Sequence, residues 1–225
     1  MKHKLSPTEK LLINKKPLDR LPLTEALSVM VQSNNDVIEA VNLVLSDIEK
    51  IILTIYQRLF NTNDGRLIYA GAGTSGRIGV QDGVELYPTF GWPLERVAFL
   101  IAGGQRALTA SIENAEDDVI ASKKKVKALK VNSNDIVIGL AASGNTPFTN
   151  NVLEESKKVG ALTIGISNNP DGIILKTAEM GLLLNTNSEL IAGSSRLKAG
   201  TSQKICLNII STFIMIKMNR IKDGQ

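Results

Sequence analysis

The stretch Leu67–Phe90, LIYAGAGTSGRIGVQDGVELYPTF, predicts a buried strand, a glycine-rich loop and the start of a helix. An apolar run leads into a loop that carries two hydroxyl side chains, Thr74 and Ser75, among three glycines, Gly71, Gly73 and Gly76. Glycine lets the backbone approach a ligand closely, and the free N–H groups of a helix's first turn attract anions. The loop therefore indicates a phosphate site, although a strand-to-helix turn without a ligand has the same pattern.

A second hydroxyl-bearing loop, Ala142–Pro147 (ASGNTP), follows another apolar run at 135–141. The carboxyl ends of parallel strands meet at one edge of a sheet, so both loops are expected to face one crevice. A dinucleotide site would also need an acidic residue after the next strand, but Gly103 and Gly104 stand there. The two loops therefore favour a phosphorylated small molecule.

Strand-like and helix-like segments alternate from residue 67 onward, with nearly continuous apolar strands. This pattern predicts an α/β three-layer sandwich with a five-stranded parallel sheet. We assign 1–35 to an N-terminal arm with a short helix, and 36–225 to the α/β domain. A long helix over 36–60 and a terminal helix over 199–217 carry more apolar surface than one sheet needs, which predicts a homodimer.

Composition excludes several functional classes. A formal charge of +4, spread along 225 residues, gives no nucleic-acid signature. The polar N-terminus and the lack of an 18-residue apolar run argue against a signal peptide or membrane contact, and the single cysteine fits a reducing compartment, so a cytoplasmic location is expected. The one histidine, His3, lies in the arm, so histidine triads and histidine-ligated metals are not expected. Carboxylates must then perform any acid–base chemistry.

Six motifs carry a specific resemblance, in the same order along roughly residues 40–215: GAGTSGR (71–77), VELYPTFG (84–91), IAGG (101–104), ENAEDD (113–118), AASGNTP (141–147) and GSSRLKAGTSQK (193–204). They are similar to those of the N-acetylmuramic acid 6-phosphate etherases, which have a sugar isomerase (SIS) domain. The resemblance implies a cytoplasmic enzyme of cell-wall recycling. It would remove D-lactate from N-acetylmuramic acid 6-phosphate to give N-acetylglucosamine 6-phosphate, without a metal or cofactor.

The resemblance also implies roles for individual residues. The family's two catalytic glutamates fall on Glu85, assigned as the acid that assists lactate departure, and on Glu116, assigned as the base at C2 of the sugar. The other site residues that it implies hold the phosphate or line the site: Gly73, Thr74, Ser75, Ser143, Asn145, Thr146, Ser194, Ser195 and Lys198.

The chain departs from the family pattern beside these residues. The family has Ser and Cys on either side of the first glutamate, where this chain has Val84 and Leu86, and it has Arg where this chain has Asn145. Two alternatives therefore stay open: an aldose–ketose isomerase of the same superfamily, and a non-catalytic phosphosugar sensor.

Overall fold

The computed structural model describes residues 7–10 and 16–224 and contains a five-stranded parallel sheet in the order β2-β1-β3-β4-β5. The strands are β1 Leu67–Gly71, β2 Val97–Ile101, β3 Ile136–Ala141, β4 Leu162–Ser167 and β5 Met180–Leu183. Every residue of β1, β3 and β4 is buried, which is why these strands are nearly continuous apolar runs. The predicted α/β sandwich is confirmed.

The α-helices are α1 Leu23–Gln32, α2 Asn35–Asn42, α3 Leu45–Phe60, α4 Gly73–Val84, α5 Leu86–Phe90, α6 Val119–Ala128, α7 Pro147–Lys158, α8 Ile174–Thr177 and α9 Lys198–Lys217. Short 3-10 turns cover Pro7–Glu9, Leu18–Arg20, Leu94–Arg96, Gly104–Leu108 and Ala115–Asp117. The helices cover both faces of the sheet. On one face α3, α4 and α9 enclose the larger core around Tyr69 and Trp92, and on the other α6 and α7 pack over Val137.

Two predicted helices differ from the structure. The expected single helix over 36–60 is broken at Val44, whose backbone is not helical (φ −117°, ψ 14°), and the break lets both α2 and α3 pack on α9. The sequence of residues 106–114 also predicts a helix, but the structure has only the 3-10 turn Gly104–Leu108 there. There the carbonyls of Ala107 and Ala110 accept hydrogen bonds from the Arg77 guanidinium instead of continuing a helix.

The N-terminal arm is partly packed against the domain. Residues 1–6, with His3, and 11–15 lie outside the described residues. An arm rich in Lys and Pro would be expected to lie unpacked, but Thr8 is buried against Asn169, so this part of the arm packs on the domain. The predicted short helix is α1, in which no residue is buried. Across residues 7–10 and 16–224, the helices lack the combined length and hydrophobicity that a membrane crossing requires.

Candidate functional site

The sheet order brings the two hydroxyl-bearing loops together. Gly71, at the end of β1, pairs in register with Ile101 of β2 and Leu140 of β3. In the order 2-1-3-4-5 the winding of the chain reverses between β1 and β3, and ligands of such folds bind beyond the strand ends at this point. The loops after β1 and β3, at 72–75 and 142–146, therefore border the expected ligand position.

The glycine loop after β1 needs its glycines. A Cβ on Gly71 would lie 2.8 Å from the backbone nitrogen of Gly76, and a Cβ on Gly76 would lie 2.9 Å from the carbonyl oxygen of Gly71. Gly73 has φ +52°, a conformation that side-chain-bearing residues rarely adopt. Ala72 precedes α4 and has no side-chain oxygen to cap it, so the first N–H groups of α4 are open to an anion.

A cleft of about 520 Å³, here called the main cleft, opens in front of α4. It brings together four of the predicted site residues: Gly73, Thr74, Glu116 and Ser195. Ala72 precedes α4, Arg77 lies one turn into it, and the other lining residues belong to the segment after β2: Ala102, Ala107, Ala110, Ser111, Ile112, Glu113, Asn114 and Ala115. The main cleft thus joins a helix N-terminus, three hydroxyl groups and two carboxylates.

Arg77 is a cleft residue that sequence reasoning missed. Its Nε donates to the carbonyl of Ala107 at 2.9 Å and its Nη2 to the carbonyl of Ala110 at 3.0 Å. These bonds hold the segment after β2 against α4 and place a positive charge in the cleft. The available signal was helical spacing, because Arg77 comes four residues after Gly73 and so shares its helix face.

Glu116 sits at the exposed rim of the main cleft. It lies in the 3-10 turn Ala115–Asp117, which follows Asn114 in a left-handed conformation (φ 59°). Another acid of the same motif has a structural use: Asp118 Oδ1 accepts a hydrogen bond from the backbone nitrogen of Ala121 at 2.7 Å and caps α6. In this motif, Glu113 and Glu116 are therefore the acids that line the cleft.

The predicted phosphate residues after β3 form a tight turn beside the main cleft and do not line it. Ser143 Oγ accepts a hydrogen bond from the backbone nitrogen of Asn145 at 3.1 Å, so its own proton points elsewhere. Asn145 is exposed, and its Oδ1 accepts from the backbone nitrogen of Ile173 at 3.0 Å. Asn145 therefore joins its loop to the segment before α8, while Thr146 begins α7.

The loop before α9 divides its predicted residues between two cavities. Ser195 lines the main cleft, and Ser194 is half-buried beside it. Lys198 is only 4% exposed, and its Nζ donates to Asp36 Oδ2 at 2.6 Å. It lines a separate cavity of about 1000 Å³ beneath α1. Lys198 is thus an ion-paired residue at the start of α9, away from the main cleft where it was expected.

Ser75 and the two neighbours of Glu85, Val84 and Leu86, lie on helices α4 and α5. Ser75 is buried in the first turn of α4, and only Thr74 of the two hydroxyl residues lines the cleft. Leu86, at the family's cysteine position, is 1% exposed and belongs to the larger core. Val84, at the family's serine position, is exposed.

Glu85 lies in a different pocket, here called the Glu85 pocket. It has a volume of about 210 Å³ and is lined by α4, α5 and α9 residues: Ile78, Gln81, Asp82, Glu85, Leu86, Thr89, Phe90, Lys204, Asn208, Ser211 and Thr212. Glu85 follows the last residue of α4, and 12 helical residues span about 18 Å. Glu85 and Glu116 of one chain therefore line different cavities, because α4 carries Glu85 away from the strand ends.

The inner wall of the Glu85 pocket is a buried polar network around Asp82. Asp82 Oδ2 accepts from the Tyr69 hydroxyl at 2.8 Å, and Oδ1 accepts from Asn208 Nδ2 at 2.8 Å and from Ser211 Oγ at 3.1 Å. Lys204 Nζ in turn donates to Asn208 Oδ1 at 2.7 Å. Burial and then the Asp82 carboxylate raise the pKa of Tyr69 well above its ordinary value of 10.0, so Tyr69 stays a hydrogen-bond donor.

Solved structures of other proteins share this fold. A phosphoheptose isomerase from Neisseria gonorrhoeae matches with a TM-score of 0.62 and 18% identity, covering 86% of this chain and 98% of that one. The C-terminal domain of a glucosamine-fructose-6-phosphate aminotransferase from Francisella tularensis matches with a TM-score of 0.59 and 17% identity, covering 93% and 52%. At these identities the matches establish the fold alone.

Sequence comparisons are more specific. The SIS domain model matches residues 114–218, and that of the glucokinase regulatory protein N-terminal SIS domain matches 47–157. An N-acetylmuramic acid 6-phosphate etherase of Deinococcus radiodurans is 48% identical over 70% of this chain and 52% of its own length. Those of Pasteurella multocida and Enterococcus faecalis (etherase 2) are 43% and 44% identical over 91% and 95% of this chain, covering 67% and 72% of their own lengths. The chain spans between half and three quarters of these relatives, and it belongs to the N-acetylmuramic acid 6-phosphate etherase family.

Proposed function

We propose that the chain cleaves the lactyl ether of N-acetylmuramic acid 6-phosphate, giving N-acetylglucosamine 6-phosphate and D-lactate. The main cleft carries this proposal, because it lies beyond the strand ends where the winding of the sheet reverses. It brings the N-terminus of α4, Thr74 and Ser195 together with Glu116. The ligand is therefore a phosphorylated amino sugar, and the reducing, cytoplasmic location inferred from the sequence is part of the same proposal.

The 6-phosphate would bind between the loops after β1 and β3. The uncapped N–H groups at the start of α4 and the hydroxyls of Thr74, Ser75, Ser143 and Thr146 are donors suited to a phosphate. The Ser143 hydroxyl can donate its proton to the phosphate, because its oxygen accepts a hydrogen bond from the backbone nitrogen of Asn145.

Two carboxyl groups suffice for the chemistry. When the sugar ring opens, the aldehyde at C1 acidifies the C2–H bond, and Glu116 takes the C2 proton. The electron pair forms a C2–C3 double bond as the C3–O bond breaks, and Glu85 gives its proton to the departing lactate oxygen. Water then adds at C3 as the Glu85 carboxylate takes its proton, and Glu116 returns a proton to C2. Both glutamates thereby regain their starting protonation states.

A second copy of the chain would supply Glu85. The main cleft holds Glu116 but not Glu85, which follows the last residue of α4, a helix about 18 Å long whose N-terminus borders that cleft. Large apolar side chains are exposed near the Glu85 pocket: Val84 precedes Glu85 and is 47% exposed, Tyr87 follows it by two residues and is 54% exposed, and Phe213 of α9 is 50% exposed. Burying these side chains against a second copy would bring one chain's Glu85 to the other chain's Glu116.

The test measures D-lactate release from N-acetylmuramic acid 6-phosphate by the purified chain. Glu85→Gln should abolish release but keep exchange of the C2 proton with deuterated solvent, whereas Glu116→Gln should lose both. Glu49→Gln on α3, outside the lining of both cavities, is the matched control and should retain activity.

Other outcomes would assign another function. Interconversion of an aldose and a ketose 6-phosphate without lactate would mean an isomerase. Binding of 6-phosphosugars without turnover would mean a phosphosugar sensor, for which the loss of the family's arginine at Asn145 is the observation in favour.

A further inference from the structure

The N-terminal turn Pro7–Glu9 makes a closed pair of hydrogen bonds with the end of the sheet. Thr8, 3% exposed, donates its backbone N–H to Asn169 Oδ1 at 3.2 Å, and Asn169 Nδ2 donates to Thr8 Oγ1 at 3.0 Å. Asn169 lies just beyond β4 and is fully buried. Thr8 therefore satisfies both polar ends of a buried amide across 161 residues of sequence.

The Asn169 side-chain amide also binds the loop after β3, which carries Ser143. Asn169 Nδ2 also donates to the carbonyl of Ala142 at 2.8 Å, and the backbone nitrogen of Asn168 donates to that carbonyl at 3.1 Å. Ala142 immediately precedes Ser143, the hydroxyl assigned to the phosphate. The orientation of Asn169, which Thr8 fixes, thus sets the start of the loop after β3.

Thr8 also reaches the other side of the site. The backbone nitrogen of Gly193 donates to the carbonyl of Thr8 at 2.9 Å. Among the described residues, the other hydrogen bonds of 191–195 stay within the local segment, for example from Ser195 to Gly193 at 2.9 Å and from Gly200 to Ser195 at 2.8 Å. The bond to Thr8 is therefore the long-range anchor of the loop that brings Ser195 to the main cleft.

We propose that Thr8 is a positioning residue for phosphosugar binding, and that the N-terminal turn is a structural part of the site. Within residues 7–10 and 16–224, no hydrogen bond joins Thr8 directly to a residue that lines the main cleft. It acts through Asn169 on the loop that carries Ser143 and through Gly193 on the loop that carries Ser195. The proposal rests on the proposed function to the extent that the site binds a 6-phosphosugar.

Three substitutions separate this role from a general loss of stability. Thr8→Val removes the hydroxyl that accepts from Asn169 with little change in shape, and Thr8→Ser restores it. Thr54→Val is the matched control, because it also removes a hydroxyl that takes part in a hydrogen bond: Thr54 Oγ1 donates to the carbonyl of Lys50 at 2.8 Å within α3, outside both loops. A chain without residues 1–10 removes the backbone anchor of Gly193 as well.

The first readout is backbone amide exchange in the loops at 142–146 and 193–195. We expect exchange in Thr8→Val to accelerate by about ten-fold in these loops and not in α3, and more strongly in the shortened chain. Thr8→Ser and Thr54→Val should match the wild type in both loops. Unchanged exchange in the shortened chain would overturn the proposed anchoring, whatever the protein's activity.

The second readout is the affinity for N-acetylglucosamine 6-phosphate by calorimetry, with KM and kcat for lactate release. We expect Thr8→Val to weaken binding and raise KM by about five-fold while kcat stays within about two-fold, and Thr8→Ser to restore both. Wild-type affinity in Thr8→Val and in the shortened chain would overturn the positioning role. If the wild type bound no 6-phosphosugar at all, the proposed function would fall together with this role, while the exchange data would still decide the anchoring.

Discussion

Asp82→Ala should strongly destabilise the folded chain, because Asp82 is the common acceptor of a buried network. Its side chain is 6% exposed and accepts from Tyr69, Asn208 and Ser211 at 2.8, 2.8 and 3.1 Å. Alanine would leave these three donors without their acceptor, and each unpaired buried donor costs about 1–3 kcal/mol. Relaxation of the neighbouring side chains and entry of water from the Glu85 pocket would recover part of the combined cost of the three unpaired donors. We therefore expect a loss of about 3–5 kcal/mol in the free energy of unfolding.

The assay is urea unfolding followed by circular dichroism, with every variant at the same protein concentration. Asp47→Ala is the control: Asp47 pairs with Lys50 at 2.9 Å on the surface, and such pairs contribute under about 1 kcal/mol. A loss below about 1 kcal/mol for Asp82→Ala would show that the three donors do not depend on Asp82 as their acceptor.

Three further predictions concern the loop after β3 and helix α9. Gly144→Ala should lower stability and weaken phosphosugar binding, because Gly144 has φ +72° and a Cβ there would lie 2.4 Å from the Cα of Gly172; wild-type binding would contradict this. Lys204→Met should lower kcat/KM for N-acetylmuramic acid 6-phosphate by about ten-fold but leave the affinity for N-acetylglucosamine 6-phosphate unchanged, because Lys204 lines the same pocket as Glu85 and only the first sugar carries a lactyl carboxylate; equal effects on both would contradict this. Burial raises the pKa of Cys206 to about 12, so this thiol should resist alkylation at pH 8 until the chain unfolds; rapid labelling of the folded chain would show that it is accessible.

Much of the fold followed from local patterns in the sequence. The five strands are short apolar runs bounded by turns, and the parallel arrangement follows from the helices between them. The glycine loop after β1 was recognisable because Gly71, Gly73 and Gly76 are required by close backbone contacts and by a left-handed conformation. These features depend on residues near one another in the chain, so a single sequence reports them.

The position of Glu85 illustrates what the sequence did not reveal. Glu85 follows β1 in the chain, but α4 runs back along the sheet and ends far from the strand ends where Glu116 lies. Lys198 and Thr8 are further cases, because their partners Asp36 and Asn169 lie 162 and 161 residues away in sequence. The hydrophobic periodicity of a single helix or strand does not predict such pairs, because they form only when distant segments of the chain pack together.

We propose that each active site combines Glu116 of one copy with Glu85 of another, and refolding two inactive variants together tests this pairing. Glu85→Gln and Glu116→Gln chains would be unfolded together, refolded at equal concentrations and assayed for D-lactate. Half of the dimers would then hold one chain of each kind, and each of these would contain one intact site and one doubly substituted site. We expect recovery of about one quarter of wild-type activity. If the mixture stayed as inactive as either variant alone, while a refolded wild-type control recovered full activity, the two glutamates would not act across copies.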